Sequence, residues 1–149
     1  MTGFYDPGQE SWDPLRSIGY LTRRASSLIL SRLDEIFANH SITFVQWAVL
    51  MLLRDGLVNT ASDICKNLGY NSGALTRLLD QLERRGFIER NRCDRNRKIV
   101  RLSLTLAGRR TAESLTPMVA KSYNRTLSNF TREESETLVR LLVKLVSDL

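Results

Sequence analysis

Residues 71–90 read NSGALTRLLDQLERRGFIER, and a change of period inside this stretch decides the fold. Leu75, Leu78, Leu79 and Leu82 recur at three- and four-residue steps, the spacing of a helix with one buried stripe. Asn71 or Ser72 can cap that helix, and Arg84-Arg85-Gly86 closes it. From Phe87 the pattern becomes that of a strand. Residues 87–90 and 99–104 read as two short strands around the polar, cationic loop 91–98, a β-hairpin with a basic tip.

Working backwards, Thr60-Ala61-Ser62-Asp63 can open a short helix over Ala61–Leu68, with Asp63 at the positive end of its dipole and Gly69 ending it in the left-handed conformation. Two helices joined by about four residues that include a glycine form a helix-turn-helix. Thr43 and Gln46 have the spacing of a capping box, which starts a helix over Phe44–Arg54 whose apolar residues cover more than one face, as in a helix buried mid-domain. Before it, Leu15, Ile18, Leu21, Ala25, Leu28, Ile29, Leu33, Ile36 and Phe37 describe one amphipathic helix ending near Asn39-His40. Residues 1–13 carry turn formers without periodicity and read as an extended or frayed arm.

Working forwards, Thr105 can start another helix, which Pro117 should kink or interrupt. Thr131 and Glu134 form a second capping box. It opens a last helix with Leu138, Leu141, Leu142, Leu145 and Leu149 on one face and Val139, Val143 and Val146 beside it. The expected architecture is mainly α with a small β-wing: a winged helix-turn-helix flanked by N- and C-terminal dimerisation helices. Residues 1–40 supply the arm and first dimerisation helix, 41–106 the winged helix-turn-helix, and 107–149 the C-terminal dimerisation helices, all in one compact chain. The outer helices expose apolar stripes too wide for a chain of 149 residues to cover alone, which predicts a homodimer.

Charge locates the function. The chain has 22 Lys plus Arg against 16 Asp plus Glu, a net of +6. Residues 71–110 hold eleven basic and four acidic residues, a net of +7, so everything outside this segment sums to about −1. Such localisation marks a polyanion-binding surface. With the leucine stripe inward, Ser72, Gly73, Thr76, Arg77 and Asp80 lie towards the opposite face, where the N-terminal half of a recognition helix enters a major groove. Asn71, Ser72, Gly73, Thr76 and Arg77 are the candidate contacts there. Arg77 can pair with guanine or clamp a phosphate, while Asn71 and Ser72 serve equally well as simple caps. In the wing, Arg92, Arg95, Asn96, Arg97 and Lys98 would reach phosphate or the minor groove.

Residues 49–53 (VLMLL), 73–90 and 102–108 together resemble the MarR family of bacterial transcriptional regulators, over essentially the whole chain. The resemblance implies a homodimer, its first and last helices intertwined, that binds a pseudo-palindromic double-stranded DNA operator as repressor or activator. It also implies a small aromatic carboxylate or phenolic effector between the dimerisation and DNA-binding parts. The wing departs from the family pattern. Where members carry Asp-Arg-Arg nine, eight and seven residues before the threonine, this chain has Asn96-Arg97-Lys98, so any salt bridge orienting Arg97 must be weaker or come from Asp94.

Trp12, Arg16, Tyr20, Arg23, His40, Phe44, Trp47 and Met51, with Arg24 nearby, gather on the first two helices and their junction. Aromatic rings beside arginines suit a planar anion, although Phe44, Trp47 and Met51 at helical spacing are equally read as core, and His40 as a helix cap. Cys65 reads as a small core residue and Cys93, beside wing arginines, as the better redox candidate. A single histidine, no Cys/His ligand spacing and no glycine-rich phosphate loop argue against an enzyme, a cofactor or a bound metal. No apolar stretch reaches the 18 residues a membrane span needs, residues 1–13 lack a signal pattern, and two cysteines fit a reducing compartment, so the expected location is cytoplasmic. Two alternatives stay open: a winged-helix module that meets an acidic protein, and a redox-sensing regulator acting through Cys93 or Cys65.

Overall fold

The computed structural model describes residues 4–5, 13–93 and 96–149, and for residues 93 and 96–98 the backbone alone. Within them the chain forms a 3-10 turn, Pro14–Arg16, then α1 (Ile18–Phe37), α2 (Phe44–Arg54), α3 (Ala61–Leu68), α4 (Ser72–Arg84), β1 (Ile88–Cys93), β2 (Asn96–Leu104), α5 (Leu106–Thr126) and α6 (Arg132–Ser147). This is the winged helix-turn-helix with flanking helices that the periodicities predict.

Helix starts follow the capping chemistry. Thr43 and Gln46 close a reciprocal capping box at α2, and Thr131 and Glu134 close another at α6. The hydroxyls of Thr60 and Thr105 accept from the amides of Asp63 and Gly108. Each bond satisfies a helix-end amide that has no partner inside the helix.

Three expectations change. The first helix does not begin at Leu15: Ser17 is extended, with φ −72° and ψ 148°, and its hydroxyl caps the amide of Tyr20. Pro14 opens the separate 3-10 turn, whose first residue needs no amide donor, and Ser17 is a better cap than a helix interior residue. The hydroxyl of Tyr5, in the expected arm, accepts from the amide of Ile18 at 2.8 Å. The hairpin is longer than the apolar residues suggested. Antiparallel pairing runs from Ile88 opposite Leu104 to Arg92 opposite Val100, with a register shift before Cys93 opposite Asn96. A two-stranded ribbon with solvent on one side needs backbone pairing more than apolar alternation, so polar residues extend it. Finally, of the kink or interruption expected at Pro117 the interruption does not occur: α5 is one helix from Leu106 to Thr126. The buried faces of Ala112, Leu115, Val119 and Ser122 lie on both sides of Pro117, and their packing outweighs one missing hydrogen bond.

One core joins these elements. Leu33 and Phe37 from α1, Val49 and Leu50 from α2, Ile64 from α3, the α4 leucines, Ile88 and Leu102 from the wing, and Ala112, Leu115 and Val119 from α5 are all buried. The segment before α3 joins the wing through Leu102, whose amide donates to the carbonyl of Asn59 at 2.8 Å. Trp47 ties α2 to α5, its indole Nε1 donating to the carbonyl of Ala112 at 3.0 Å. Helix α6 contributes no buried residue, and Val139, Val143 and Val146 are 56, 60 and 73% exposed. On α1, Leu21 and Leu28 are more than half exposed. No helix of the described residues is long and apolar enough to cross a membrane.

The joint between the wing and α5 is closely packed. The amide of Thr105 donates to the carbonyl of Phe87 at 3.1 Å, and its hydroxyl to the carbonyl of Gly86 at 2.6 Å. Gly108 is buried here, and a Cβ on it would overlap the Phe87 carbonyl oxygen and stand 2.8 Å from Leu104 Cδ1. Backbone offers no rotamer to yield. Gly108→Ala is therefore expected to destabilise the fold by about 2–3 kcal/mol through overpacking, outweighing the helix-propensity gain of alanine. A urea titration checks this: the midpoint should fall with little change in slope.

Candidate nucleic-acid interface

The turn between α3 and α4 is built by two residues. Gly69 ends α3 at φ 61° and ψ 33°, a left-handed conformation that glycine adopts without a Cβ penalty, and the amide of Tyr70 returns to the carbonyl of Cys65 at 3.1 Å. Asn71 then caps α4, its side-chain oxygen accepting from the amides of Gly73 at 2.9 Å and Ala74 at 3.4 Å. Its acceptor is thus spent on the helix, the simpler of the two roles open to it in sequence.

Helix α4 divides as its leucine stripe requires. Leu75, Leu78, Leu79 and Leu82 are 9% exposed or less, while Ser72, Gly73, Ala74, Thr76 and Arg77 lie in solvent. The Thr76 hydroxyl donates to the carbonyl of Ser72 at 2.9 Å, leaving its oxygen lone pairs outward. Arg77 has no ion-pair or hydrogen-bond partner among the described residues. Asp80, placed with this face in sequence, does something else. Together with Glu83, three residues on, it receives the Arg90 guanidinium, whose Nη1 lies 2.7 Å from Asp80 Oδ1 and 2.6 Å from Glu83 Oε2. This fork latches β1 to α4. The signal for it was in the sequence, as two carboxylates one turn apart before a strand arginine, but charge counting alone sums such groups rather than pairing them.

Pairing sorts the basic segment into two sets. Arg85 lies over the Phe87 ring at 4.8 Å and donates to the Ser41 carbonyl; Arg84 donates to the Asp80 carbonyl at 3.3 Å; Arg109 faces Glu113 at 3.7 Å. These hold the structure together. Arg77, Arg92, Arg101 and Arg110 remain exposed and unpaired among the described residues. Strand register puts Arg92 on the face of Arg90 and Ile88, towards α4, and Arg101 opposite Asn91 on the other face. Arg95 and Asp94 lie outside the described residues, as do the side chains of Cys93, Asn96, Arg97 and Lys98.

The effector candidates separate. Phe44 and Trp47 stack at 5.7 Å between ring centroids and meet Phe37 at 5.9 and 6.2 Å, with His40 at 6.2 Å from Phe37. With half-buried Met51, Phe44 and Trp47 pack against the core, the structural reading of their helical spacing. Tyr20 and Arg23 instead line a shallow hollow on α1 with Arg24, Ser27 and Leu28. Arg16 ends the 3-10 turn, and Trp12 lies outside the described residues. Cys65 is a free, half-buried thiol packed against the core. Among the described residues no group of three His, Cys, Asp or Glu side chains is placed to hold a metal ion.

Comparison with known proteins agrees with this geometry. Residues 42–100 match the family model described as MarR family. The chain is 32% identical over 115 residues to the multiple antibiotic resistance protein MarR of Escherichia coli, covering 76% of this chain and 80% of that one. Its fold superposes on apo wild-type MarR from E. coli with a TM-score of 0.75 at 29% identity, covering 87 and 96% of the two chains. On MepR in the S. aureus MepR–DNA complex the TM-score is 0.72 at 26% identity, covering 89 and 98%.

The Arg90 fork yields a test of its own. All three side chains are partly exposed, so Arg90→Gln should cost only about 0.5–1 kcal/mol of global stability. Its larger effect is local: amides of β1 and β2 should exchange faster while those of α2 do not, which hydrogen-exchange mass spectrometry resolves.

Proposed function

The chain belongs to the MarR family of DNA-binding transcriptional regulators, and from that premise we propose that it is a homodimeric repressor released from a pseudo-palindromic operator by a small aromatic acid. The observation that carries this reading is the exposed N-terminal half of α4, with Ser72, Gly73, Thr76 and an unpaired Arg77 presented outward while the acidic side chains of the same helix are engaged by Arg90. Small residues permit close approach to base edges, and Arg77 is the one long donor at that end of the helix. In the proposed complex the amide of Ser72 and the positive end of the α4 dipole face a phosphate, the amides of Gly73 and Ala74 being held by Asn71. Arg92, Arg95, Asn96, Arg97 and Lys98 serve the wing, where affinity comes from charge. Likeness to the MepR of a DNA complex supports the same docking.

The proposed dimer rests on apolar surface. Helices α1 and α6 present Leu21, Leu28, Val139, Leu142, Val143 and Val146 to solvent in the single chain, more contiguous apolar face than a monomer keeps exposed. A two-fold pair would set two copies of α4 about 34 Å apart, one turn of DNA.

Selection from random duplexes is expected to return a palindrome, and light scattering a particle of twice the 17.0 kDa chain mass. Arg77→Ala should cost about 1–3 kcal/mol on the selected site and relax one position in each half-site. Arg97→Ala should weaken all duplexes alike and flatten the salt dependence. Equal losses from Arg77→Ala on selected and random DNA would move that residue to a phosphate role, and a monomer in solution would defeat the symmetry argument. Release from the selected duplex by salicylate, indole-acetate or cinnamate is the expected effector response; silence to all of them removes that part of the reading.

A further inference from the structure

The elbow between α1 and α2, residues 38–43, is tied to the far end of α4. It continues α1 directly, the amide of His40 donating to the carbonyl of Phe37 at 2.8 Å, and Ile42 anchors it in the core at 2% exposure. Gln46, the first-turn residue of α2 that closes its capping box, is a buried polar side chain, 5% exposed. Its Oε1 accepts from the Thr43 amide at 3.0 Å, which fixes the way the side-chain amide points. Nε2 therefore faces α4, where it donates to Gln81 Oε1 at 2.8 Å. One turn further along α4, Arg85 donates to the carbonyl of Ser41. Among the described residues, these two are the side-chain hydrogen bonds that join α4 to the elbow and the cap of α2. They lie at the C-terminal end of the helix whose exposed N-terminal half carries Ser72, Thr76 and Arg77.

Hydrophobic burial is non-directional, so the leucine stripe puts α4 on the core, whereas hydrogen bonds of fixed length and angle add its orientation. Orientation matters most at the DNA-facing end. Ser72 lies about 14 Å from Gln81 at about 1.5 Å per residue, and a tilt of about 15° would carry it about 3.5 Å, roughly one base-pair step. In a two-fold dimer that shift occurs on both sides. The best-attested use of a buried polar group is to select one arrangement among several close ones, and Gln46 is such a group. We propose that Gln46 and Gln81, with Arg85 and Ser41, form a clasp that sets the tilt of α4 relative to α1 and thereby the half-site spacing that the dimer accepts. Gln46 is in this role a positioning residue, acting on DNA only through α4. The inference rests on the dimeric regulator reading above and adds to it the residues that make operator length a selected property. The chemistry permits a parity test. A carboxylate at position 46 still caps Thr43 and accepts from Gln81 once that amide turns its nitrogen inward, and a carboxylate at position 81 still accepts from Gln46. Two carboxylates have no donor between them.

The test compares the full-length wild type with Gln46→Glu, Gln81→Glu and the double variant. Each is titrated by fluorescence anisotropy with the palindrome selected from random duplexes and with the same palindrome after base pairs are added or removed between its half-sites. Wild type and both single variants are expected to lose about tenfold or more for a change of one base pair, and the double variant about threefold or less, with base preferences inside each half-site unchanged. Added negative charge weakens every spacing alike and does not mimic this result. Gln81→Met removes the acceptor on an exposed residue without adding charge and leaves the cap of α2 in place. It is expected to relax the spacing preference in the same direction, and it decides the outcome if thermal melting shows the double variant unfolded. A merely structural role would lower the melting temperature and weaken all duplexes together with the spacing penalty intact, which overturns the clasp. So would a single acidic variant as tolerant of spacing as the double variant, or altered base preference inside the half-site, which would put Gln81 at the DNA. If wild type selects no palindrome, the regulator reading fails and the clasp with it. A wild type that selects a palindrome but is indifferent to spacing, or variants that all keep its spacing preference, counts against the clasp alone.

Discussion

The close approach of Gly108 to the Phe87 carbonyl leaves no room for a side chain where the wing meets α5. There the end of α4, the start of β1, the end of β2 and the start of α5 converge, held by two bonds from Thr105 to Gly86 and Phe87. Because the carbonyl and the helix backbone are both rigid, the angle at which α5 leaves the wing is set by covalent geometry and close packing, not by side-chain choice. That angle in turn places the far half of α5 beside α1. The wing, α4, α5 and α1 thus share one core, with the leucines of α4 at its centre.

Electrostatics work by subtraction. The basic segment contains its own carboxylates, and if Asp80 and Glu83 stood free on α4 they would oppose a phosphate at the helix that presents Arg77. Arg90 pairs with both at the wing root, so that one fork attaches β1 and leaves neither carboxylate free. A comparable logic governs Arg84 and Arg85, which serve the end of α4 and the loop before α2. Among the cations left over are Arg77 on the exposed face of α4 and Arg92 and Arg101 on the wing.

Much of this was legible from residue types. Capping boxes at Thr43 and Thr131, the left-handed Gly69 and the leucine stripe of α4 located four of the helix ends or faces correctly, because those signals are local and act within four residues. The hairpin was legible in existence but short in extent, since strand pairing is a backbone property that polar side chains do not forbid. Pro117 was read as a kink or an interruption because its local cost is real, yet with four buried positions flanking it the helix is not interrupted. The aromatic residues chosen for an effector were found by composition; the structure separates them into a core stack and a surface hollow, because spacing along a helix says which face a residue occupies and not what covers that face.

What the sequence by itself determined is the order of elements, the inward stripe of each helix, and the confinement of positive charge to residues 71–110. These follow from periodicity and formal charge, which need no third dimension. Only the tertiary structure decided which of those charges are spent on internal bonds, that Gly108 must lack a side chain, and that Arg32, Lys121 and Arg125 share one cavity although 89 residues separate the first from the second. Pairing and enclosure depend on distances across the chain, and these are set when α1 and α5 pack against a common core.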